Sequence, residues 1–277
     1  MHHDLKTMTL SPSTLPRLID SHCHLDRLDL APFRGQLSEA LAAARREGVE
    51  RFLCVSINLD NFSQILTIAE NFSDVHISVG IHPGECVSHE PEVEELIALA
   101  QHPAVVAIGE TGLDYHYHQG DSGWQQERFR RHIIAARAVG KPLIIHSREA
   151  RADTLRILAE EGAREVGGIM HCFTEDWNTA RAAWELGFYI SFSGIITFRN
   201  AVELREVAIR LPLESLLVET DSPYLAPVPY RGKSNHPAWV RYVAEQLAKV
   251  RKMELITLAE ATTTNFLRLM TAHGSLK

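Results

Sequence analysis

Two histidines separated by one residue, His22 and His24, follow the apolar residues Leu18 and Ile19 near the start of the chain. In a β-strand, residues i and i+2 point to the same face, so the two imidazoles would lie side by side while Cys23 points the other way. Imidazole nitrogen is a ligand for zinc and other first-row divalent metals. A single His-x-His pair also occurs by chance, so a metal site requires further ligands elsewhere in the chain.

Further residues of metal-ligand type stand at the ends of four other apolar runs. They are Glu110, His146, His171 and Asp221. In a barrel of alternating strands and helices, catalytic side chains gather where the strands end, at one rim of the barrel. Five strand ends would therefore bring six ligands together, which a chance pair of histidines does not explain.

The strands themselves are predicted from eight short apolar runs that alternate with helix-like segments. The runs are 17–21, 51–56, 75–80, 105–109, 142–145, 168–170, 188–192 and 216–218. Continuous rather than alternating apolar residues indicate parallel strands that are covered on both faces. Four of the helix-like segments stop at a glycine, where left-handed helix ends are common: Gly48, Gly140, Gly162 and Gly187. The pattern predicts a (β/α)8 TIM barrel, with a doubly wound α/β fold as the alternative.

One domain accounts for most of the chain. Residues 1–17 are polar and predict a flexible N-terminal extension, and residues 18–277 predict a single barrel domain. The last helical segment, 254–270, has one apolar stripe, which favours packing against the barrel over binding a partner.

Composition excludes several classes of protein. The chain has 277 residues and a net charge of −7, which is unlike a general nucleic-acid binder, since non-specific affinity depends on many Lys and Arg contacts to phosphates. No apolar run reaches the roughly 20 residues that span a bilayer. The four cysteines show no paired spacing, which favours reduced thiols and a cytoplasmic protein.

The number of ligands fits two divalent metal ions. One would be held by His22, His24, Asp221 and one oxygen of Glu110, and the other by His146, His171 and the second oxygen of Glu110. A carboxylate can bridge two ions about 3.5–4 Å apart, and such a pair lowers the pKa of bound water to supply a nucleophile. Asp221 can both ligate and accept the proton of that nucleophile. The ligand types leave Zn, Mn, Mg, Co and Ni open.

Six motifs of this chain together resemble those of the TatD family of metal-dependent deoxyribonucleases, and in particular its YcfH-type branch. They are Asp20–Asp26, Gly80–Pro83, Gly109–Tyr115, His146–Arg148, His171–Phe173 and Glu219–Tyr224. The resemblance runs from about Leu18 to about Leu269. It implies an amidohydrolase-like barrel and a metal-dependent phosphodiesterase that cleaves DNA, often as an exonuclease at the 3′ end. By motif position it implies the same six ligands that the strand ends indicate.

One position separates the chain from many other amidohydrolases. Those enzymes often bridge their metals with a carboxylated lysine on the fourth strand, where this chain has Glu110. The nearest lysine, Lys141, precedes the fifth strand and is expected at the opposite rim.

A phosphodiester substrate also needs cationic or hydrogen-bond donor groups beside the metals. The candidates are Arg148, His82, Arg231 and Lys233. Arg148 follows His146 on the same face, and the loops after strands seven and eight, which hold Arg231 and Lys233, often form phosphate sites in barrels. Because the basic residues are few and local, we expect a small footprint on DNA, at single-stranded ends. We also expect a monomer and no membrane partner.

Two other functions remain compatible with the residues. The same metal site could hydrolyse an amide or ester, as in a D-aminoacyl-tRNA deacylase. A non-catalytic module that binds metal or phosphate is the other alternative, although it would not need a complete set of six ligands.

Overall fold

Parallel strands in sequence order form the centre of the structure. The computed structural model describes residues 15–116, 120–272 and 274. Each strand pairs with the next along the chain, in the order β1 to β8. The strands are β1 (Leu18–Cys23), β2 (Val49–Cys54), β3 (Val75–Val79), β4 (Val105–Asp114), β5 (Leu143–Arg148), β6 (Gly168–Met170), β7 (Phe188–Phe192) and β8 (Leu216–Val218).

Helices connect the strands and cover the outside of the sheet. They are α1 (Leu37–Arg46), α2 (Phe62–Asn71), α3 (Val93–Ala100), α4 (Gly123–Val139), α5 (Arg151–Glu160), α6 (Trp177–Glu185), α7 (Val202–Arg210), α8 (Val240–Arg251) and α9 (Leu255–Ala272). The predicted glycines lie one or two residues past the ends of α1, α4, α5 and α6, all with positive φ. Over the part of the chain that the structure describes, no helix has the length and apolar character to cross a membrane.

The sheet closes on itself just beyond the last strand. Cys23 at the end of β1 forms a parallel bridge with Ser222. Two backbone hydrogen bonds complete the seam, from Asp221 N–H to His22 O at 2.9 Å and from His24 N–H to Ser222 O at 2.8 Å. The predicted (β/α)8 barrel is therefore confirmed, and its closure brings the β8 end directly beside the β1 end.

Three strands continue past the apolar runs from which they were predicted. β6, β7 and β8 have the predicted bounds, whereas β1, β4 and β5 extend to Cys23, Asp114 and Arg148. Glu110 was expected after β4 but lies inside it, where the pairing with β5 shifts register between Ile108 and Thr111. The strands extend because backbone hydrogen bonding to a neighbour does not require an apolar side chain.

The interior of the barrel is apolar at the N-terminal end of the strands. Residues in or next to several strands form one buried cluster: Ile19, Leu53, Val55, Val106, Ala107, Ile144, Ile169 and Leu217. Phe266, Leu269 and Met270 of α9 belong to the same cluster and close this end. The prediction that the last helix packs against the barrel is confirmed.

Only residues 15–17 of the predicted N-terminal extension lie within the described part of the chain. The Arg17 carbonyl accepts a hydrogen bond from Thr263 Oγ1 at 2.8 Å, which ties it to α9. Pro16 lies so close to Gly48 that a Cβ at Gly48 would stand 2.0 Å from its carbonyl oxygen. The absence of a side chain at Gly48 is therefore required by this contact as well as by its φ of 92°.

Replacing Phe266 with Ala should destabilise the barrel by about 3–5 kcal/mol, because it opens a cavity in a fully buried cluster. Equilibrium urea unfolding, with the metal content held fixed by a chelator, measures the change. Ile256→Ala on the exposed face of the same helix should alter stability by less than about 0.5 kcal/mol. Equal losses in the two variants would show that α9 does not close the barrel.

Candidate metal centre

β1 positions the histidine pair. His22 lies in the strand, His24 follows its last residue, and their Nε2 atoms are 3.3 Å apart. Both side chains are buried. Cys23 points to the other side, where its thiol donates to the carbonyl of Leu53 at 3.3 Å. The alternation predicted from the spacing of the pair is confirmed.

The hydrogen bond of His24 decides which of its ring nitrogens carries a lone pair. Its Nδ1 lies 3.1 Å from the carbonyl oxygen of Val55, which can only accept, so Nδ1 holds the proton. In a neutral ring, Nε2 then faces His22 Nε2 at 3.3 Å and Asp221 Oδ1 at 3.5 Å with its lone pair. Acceptors at these distances repel one another unless a proton or a metal cation lies among them. The donor set therefore fits a divalent metal ion.

Glu110 lies at the centre of the remaining histidines and is only 2% exposed. Its Oε1 is 2.8 Å from His171 Nε2 and 3.1 Å from His146 Nδ1. Its Oε2 is 3.4 Å from His22 Nε2. The two oxygens of one carboxylate thus face imidazoles from different sides of the barrel.

Charge is shared between Glu110 and its histidines. Burial by itself would raise the pKa of the Glu110 carboxyl, but the surrounding imidazoles of His171, His82 and His22 outweigh burial and hold it well below its usual range. Burial would lower the pKa of His171, but the carboxylates of Glu110 and Glu219 outweigh it and raise that pKa well above 6.5. Without a metal, protons therefore occupy positions where a cation is stabilised.

All six residues predicted as ligands come together at the barrel mouth. Their donor atoms form three overlapping groups that could each hold an ion: His22 with His24 and Asp221, His22 with Glu110 and His171, and His82 with Glu110 and His146. This grouping differs from the expected division, because His22 belongs to two groups and His82 joins the third. The rings of His22 and His171 are stacked at 3.8 Å, which explains the shared group.

Two buried carboxylates behind the histidines had no assigned role in the sequence analysis. Asp114 Oδ2 lies 3.0 Å from His146 Nε2, and Glu219 Oε1 lies 3.3 Å from His171 Nδ1. Carboxylates in this position fix the tautomer and the orientation of a metal-binding imidazole. Both residues stand in the motifs that carry the family resemblance, which is the sequence signal that could have indicated them.

The hydrogen bonds of His82 favour a tautomer in which the nitrogen that faces the cluster carries a proton and not a lone pair. The backbone N–H of Gly84 donates to His82 Nδ1 at 2.9 Å, so a neutral ring carries its proton on Nε2. That nitrogen points to His146 Nδ1 at 3.3 Å and to Glu110 Oε1 at 3.6 Å. In this tautomer His82 Nε2 carries a proton and acts as a hydrogen-bond donor at the edge of the cluster. The same nitrogen would have to lose that proton to bind a metal ion together with Glu110 and His146, to which it is close enough.

The cluster forms part of the wall of a cavity of about 630 Å³ at the barrel mouth. Arg148, predicted to contact substrate, lines this cavity, and so does Arg27, which the sequence analysis did not identify. Arg27 lies 3.8 Å from Asp26 across a loose ion pair and is exposed. Tyr224 lines the cavity with 49% of its surface exposed, which leaves an aromatic face at the mouth.

Two predicted basic residues lie away from this cavity. Among the described residues that line it, neither Arg231 nor Lys233 occurs. Arg231 packs over the ring of Phe198 at 4.4 Å, and Lys233 lies over the ring of Tyr230 at 5.5 Å. The long loop after β8 carries them past the cavity, although it starts from the Asp221 end.

Strand alternation after His171 predicts that the Cys172 side chain points away from the ligands and into the core, but the structure differs. It is partly exposed, lines the cavity and has a φ of 42°. The backbone N–H of Cys172 donates to Glu219 Oε1 at 2.8 Å, so the chain turns sharply after His171. The turn ends the strand alternation that had placed Cys172 in the core.

Comparison with known proteins identifies the family. The family model described as TatD related DNase matches residues 19–271. The chain belongs to this TatD family. It is a metal-dependent hydrolase, as its relatives in the family are.

Individual TatD relatives cover nearly the whole chain. The uncharacterized metal-dependent hydrolase YcfH of Escherichia coli K12 is 49% identical over 259 residues, which are 93% of this chain and 97% of YcfH. The 3′-5′ ssDNA/RNA exonuclease TatD of Edwardsiella piscicida is 32% identical and covers 84% of this chain and 92% of its own length. The crystal structure of the TatD homologue YJJV from E. coli K12 superposes with a TM-score of 0.83 at 32% identity, over 91% of this chain and 97% of YJJV.

Lys141, the lysine nearest in sequence to Glu110, does not reach the metal centre. Lys141 lies at the far end of the barrel, as predicted, because its Nζ donates to the carbonyls of Ala100 and Val105, each at 2.5 Å. Glu110 on β4 belongs to two of the three groups of candidate ligands, as a carboxylate that bridges two ions would.

Metal binding should release protons at pH 7, because ligands bind metal only when deprotonated and the pKa of His171 is raised well above 6.5, with those of His24 and His146 also raised. Affinity should fall as the pH is lowered, since protons then compete for the same nitrogen. Calorimetric titration of metal into the apoprotein, in two buffers with different ionisation enthalpies, counts the protons. His76→Gln, a histidine away from the site whose pKa is lowered to about 4, should leave the count unchanged. Absence of proton release at pH 7 would contradict the expected charge on His171.

Proposed function

We propose that this TatD protein is a phosphodiesterase that cleaves DNA at single-stranded 3′ ends. The observation that carries the proposal is the convergence of Glu110 and five other candidate metal ligands at the barrel mouth, beside a cavity that Arg27 and Arg148 also line. A phosphate group in that cavity would have metal donors beneath it and guanidinium groups beside it. The relative from Edwardsiella piscicida named 3′-5′ ssDNA/RNA exonuclease supports this substrate class.

The proposal includes two divalent ions. His22, His24 and Asp221 would hold one, and His146 and His171 the other, with Glu110 facing both through its two oxygens. The distances from Oε1 to His171 and His146 and from Oε2 to His22 support this division. Zn, Mn, Mg, Co and Ni remain candidates, since imidazoles favour the transition metals and phosphoryl chemistry often uses Mg.

What a divalent metal supplies in such a site is a lowered pKa of water and polarisation of the phosphoryl oxygen. Asp221 is the least buried of the three residues in its group and is the proposed acceptor of the proton that the attacking water loses. His82 Nε2–H is the proposed donor to a substrate oxygen. Arg148 is the proposed partner of a neighbouring phosphate, since guanidinium binds phosphate bidentately.

One feature of the cavity favours the alternative, amide or ester hydrolysis as in a D-aminoacyl-tRNA deacylase. Glu85 lines the cavity without belonging to the metal groups, and its Oε2 accepts a hydrogen bond from Asn58 Nδ2 at 3.1 Å. A carboxylate there can pair with the amino group of an aminoacyl ester. The same cavity is also lined by two arginines, Arg27 and Arg148, and this excess of positive charge over the one carboxylate of Glu85 favours the phosphodiester substrate.

That this protein is cytoplasmic and monomeric stays a prediction. The four cysteines are all free thiols, which supports a reducing compartment.

The reconstituted apoprotein should cleave an end-labelled single-stranded oligonucleotide in the presence of at least one of Mg, Mn, Co, Ni or Zn. His22→Ala combined with His24→Ala should abolish cleavage but retain roughly one metal equivalent at the His146–His171 side, measured by elemental analysis. A D-aminoacyl ester assayed in parallel tests the alternative. Wild type that cleaves no phosphodiester with any metal, or a double variant that cleaves like wild type, would refute the proposed function.

Arg148→Gln should raise KM for an oligonucleotide about tenfold while kcat changes less than about twofold, because one charge-assisted phosphate contact is lost. The slope of log KM against log salt should decrease by about 0.7, the value for one phosphate contact to a single strand. Hydrolysis of bis(p-nitrophenyl) phosphate, which has no neighbouring phosphate, should be unaffected.

Arg151→Gln is the matched control for this charge change. Arg151 is exposed and pairs with Asp176 at 2.8 Å, outside the set of described residues that line the cavity. Its replacement should leave KM and the salt slope unchanged. Equal effects of the two substitutions would mean that Arg148 acts only through the overall charge of the surface.

A further inference from the structure

Helix α4 buries a polar stripe where a barrel helix would normally present apolar residues. Gln125, Arg128 and His132 are spaced i, i+3 and i+7, so they share one face of the helix. They are exposed by only 1%, 2% and 0% of their surfaces. Burying such groups costs free energy unless each finds a hydrogen-bond partner. Each of the three has a partner among the backbone groups of the two segments that lead into the metal centre.

Gln125 holds the end of β4. The backbone N–H of Asp114 donates to Gln125 Oε1 at 2.9 Å, and Gln125 Nε2 donates back to the Asp114 carbonyl at 3.0 Å. This two-point contact fixes the backbone from which the Asp114 carboxylate reaches His146 Nε2 at 3.0 Å. The orientation of the His146 imidazole thus depends on α4.

His132 holds the start of the segment after β3. Its Nδ1–H donates to the Arg128 carbonyl at 2.8 Å, so its Nε2 carries the lone pair that accepts the Ile81 N–H at 3.0 Å. Ile81 is the residue before His82 and is buried. The ring of His132 therefore sets the position of the backbone at which the His82 side chain begins.

Arg128 binds the same segment further along the chain, at the carbonyls of His82 and Glu85. Its Nη1 donates to the carbonyls of His82 and Glu85 at 3.1 and 2.9 Å. Its Nε and Nη2 donate to the carboxylate of Glu90 at 2.7 and 2.5 Å, which orients the guanidinium. His82 is thus held through the backbone both at the preceding residue and at its own carbonyl.

We propose that Gln125 and His132 are positioning residues, with Arg128 as their support, that hold His146 and His82 in register with Glu110. Each acts on a different element, since Gln125 acts through Asp114 on His146, whereas His132 acts through Ile81 on His82. One rigid helix thereby couples the placement of a metal-binding imidazole to that of a hydrogen-bond donor. The inference rests on the proposed roles of His82 and His146.

The two residues should give different signatures when replaced. Gln125→Met removes both contacts to Asp114, so it should weaken metal binding about 10- to 100-fold, the range found when a group orienting a metal-bound histidine is lost. His132→Leu should leave metal affinity within about twofold but lower kcat at least tenfold with little change in KM, since it displaces a donor that acts on the reacting substrate. A residue that only stabilises the fold would not separate metal affinity from kcat.

The experiment compares these variants with His132→Gln and Ile133→Ala by calorimetric metal titration, steady-state kinetics on an oligonucleotide and thermal unfolding. His132→Gln keeps an acceptor near Ile81 N–H and should recover kcat to within about threefold of wild type. Ile133 is buried on the same helix without a bond to either segment, so Ile133→Ala should lower the melting temperature but leave kcat and metal affinity within about twofold. If His132→Leu does not fold, His132→Asn replaces it, because the shorter amide does not reach Ile81.

Wild-type kcat in His132→Leu, or wild-type metal affinity in Gln125→Met, would overturn the corresponding assignment. Parallel loss of kcat in Ile133→Ala would overturn both, since the effect would then follow stability alone. His82→Ala and His146→Ala separate this inference from the proposed function. If they retain full activity, the proposed site is wrong; if they are inactive while the α4 variants are normal, only the positioning role fails.

Discussion

The carboxylate of Glu110 is buried at the centre of the barrel mouth, and a buried charge is stable only where opposite charge and hydrogen-bond donors surround it. No single strand can supply such surroundings, because a strand presents only alternate residues to one side. Imidazoles from the ends of β1, β5 and β6 and from the segment after β3 meet around Glu110. The closed barrel is the arrangement that brings these ends together, so the charge of one side chain depends on the whole sheet.

The two ends of the barrel divide stability and chemistry between them. At one end, buried aliphatic side chains pack against α9 and exclude water. At the other end, the seam between β1 and β8 places Asp221 beside His22 and His24 through backbone hydrogen bonds. The apolar end and the backbone seam fix the frame of the polar cluster, in which imidazole nitrogens and carboxylate oxygens from several strands face one another. Such an arrangement of donor atoms is suited to binding a cation in place of protons.

The metal-facing histidines are oriented by carboxylates, and one of these carboxylate residues is itself held by a side chain on α4. Asp114 and Glu219 orient His146 and His171, and the backbone of Asp114 is held in turn by Gln125 on α4. Each of these hydrogen bonds fixes the orientation of a side chain that contacts the next one, which limits the movement of the imidazole nitrogens that face the site. The same helix contacts the segment that bears His82, so two parts of the cluster share one support. Buried polar side chains on a barrel helix are explained by this task and not by core packing.

Local sequence determined the strand order, the barrel fold and the identity of the six convergent side chains. Apolar runs and following ligand residues are local features, and the parallel barrel converts position along the chain into position at one rim. Other features required the tertiary structure. The extent of β4 past Glu110, the turn at Cys172 and the course of the loop that carries Arg231 away from the cavity depend on backbone contacts with neighbouring strands and loops. The tautomer of His24 depends on the carbonyl of Val55, and that of His82 depends on the backbone N–H of Gly84. The role of α4 depends on contacts between residues far apart in sequence, such as His132 and Ile81. Residue types and spacing thus decided which groups meet, whereas hydrogen bonds between distant segments decided how each group is oriented and which of its atoms faces the site.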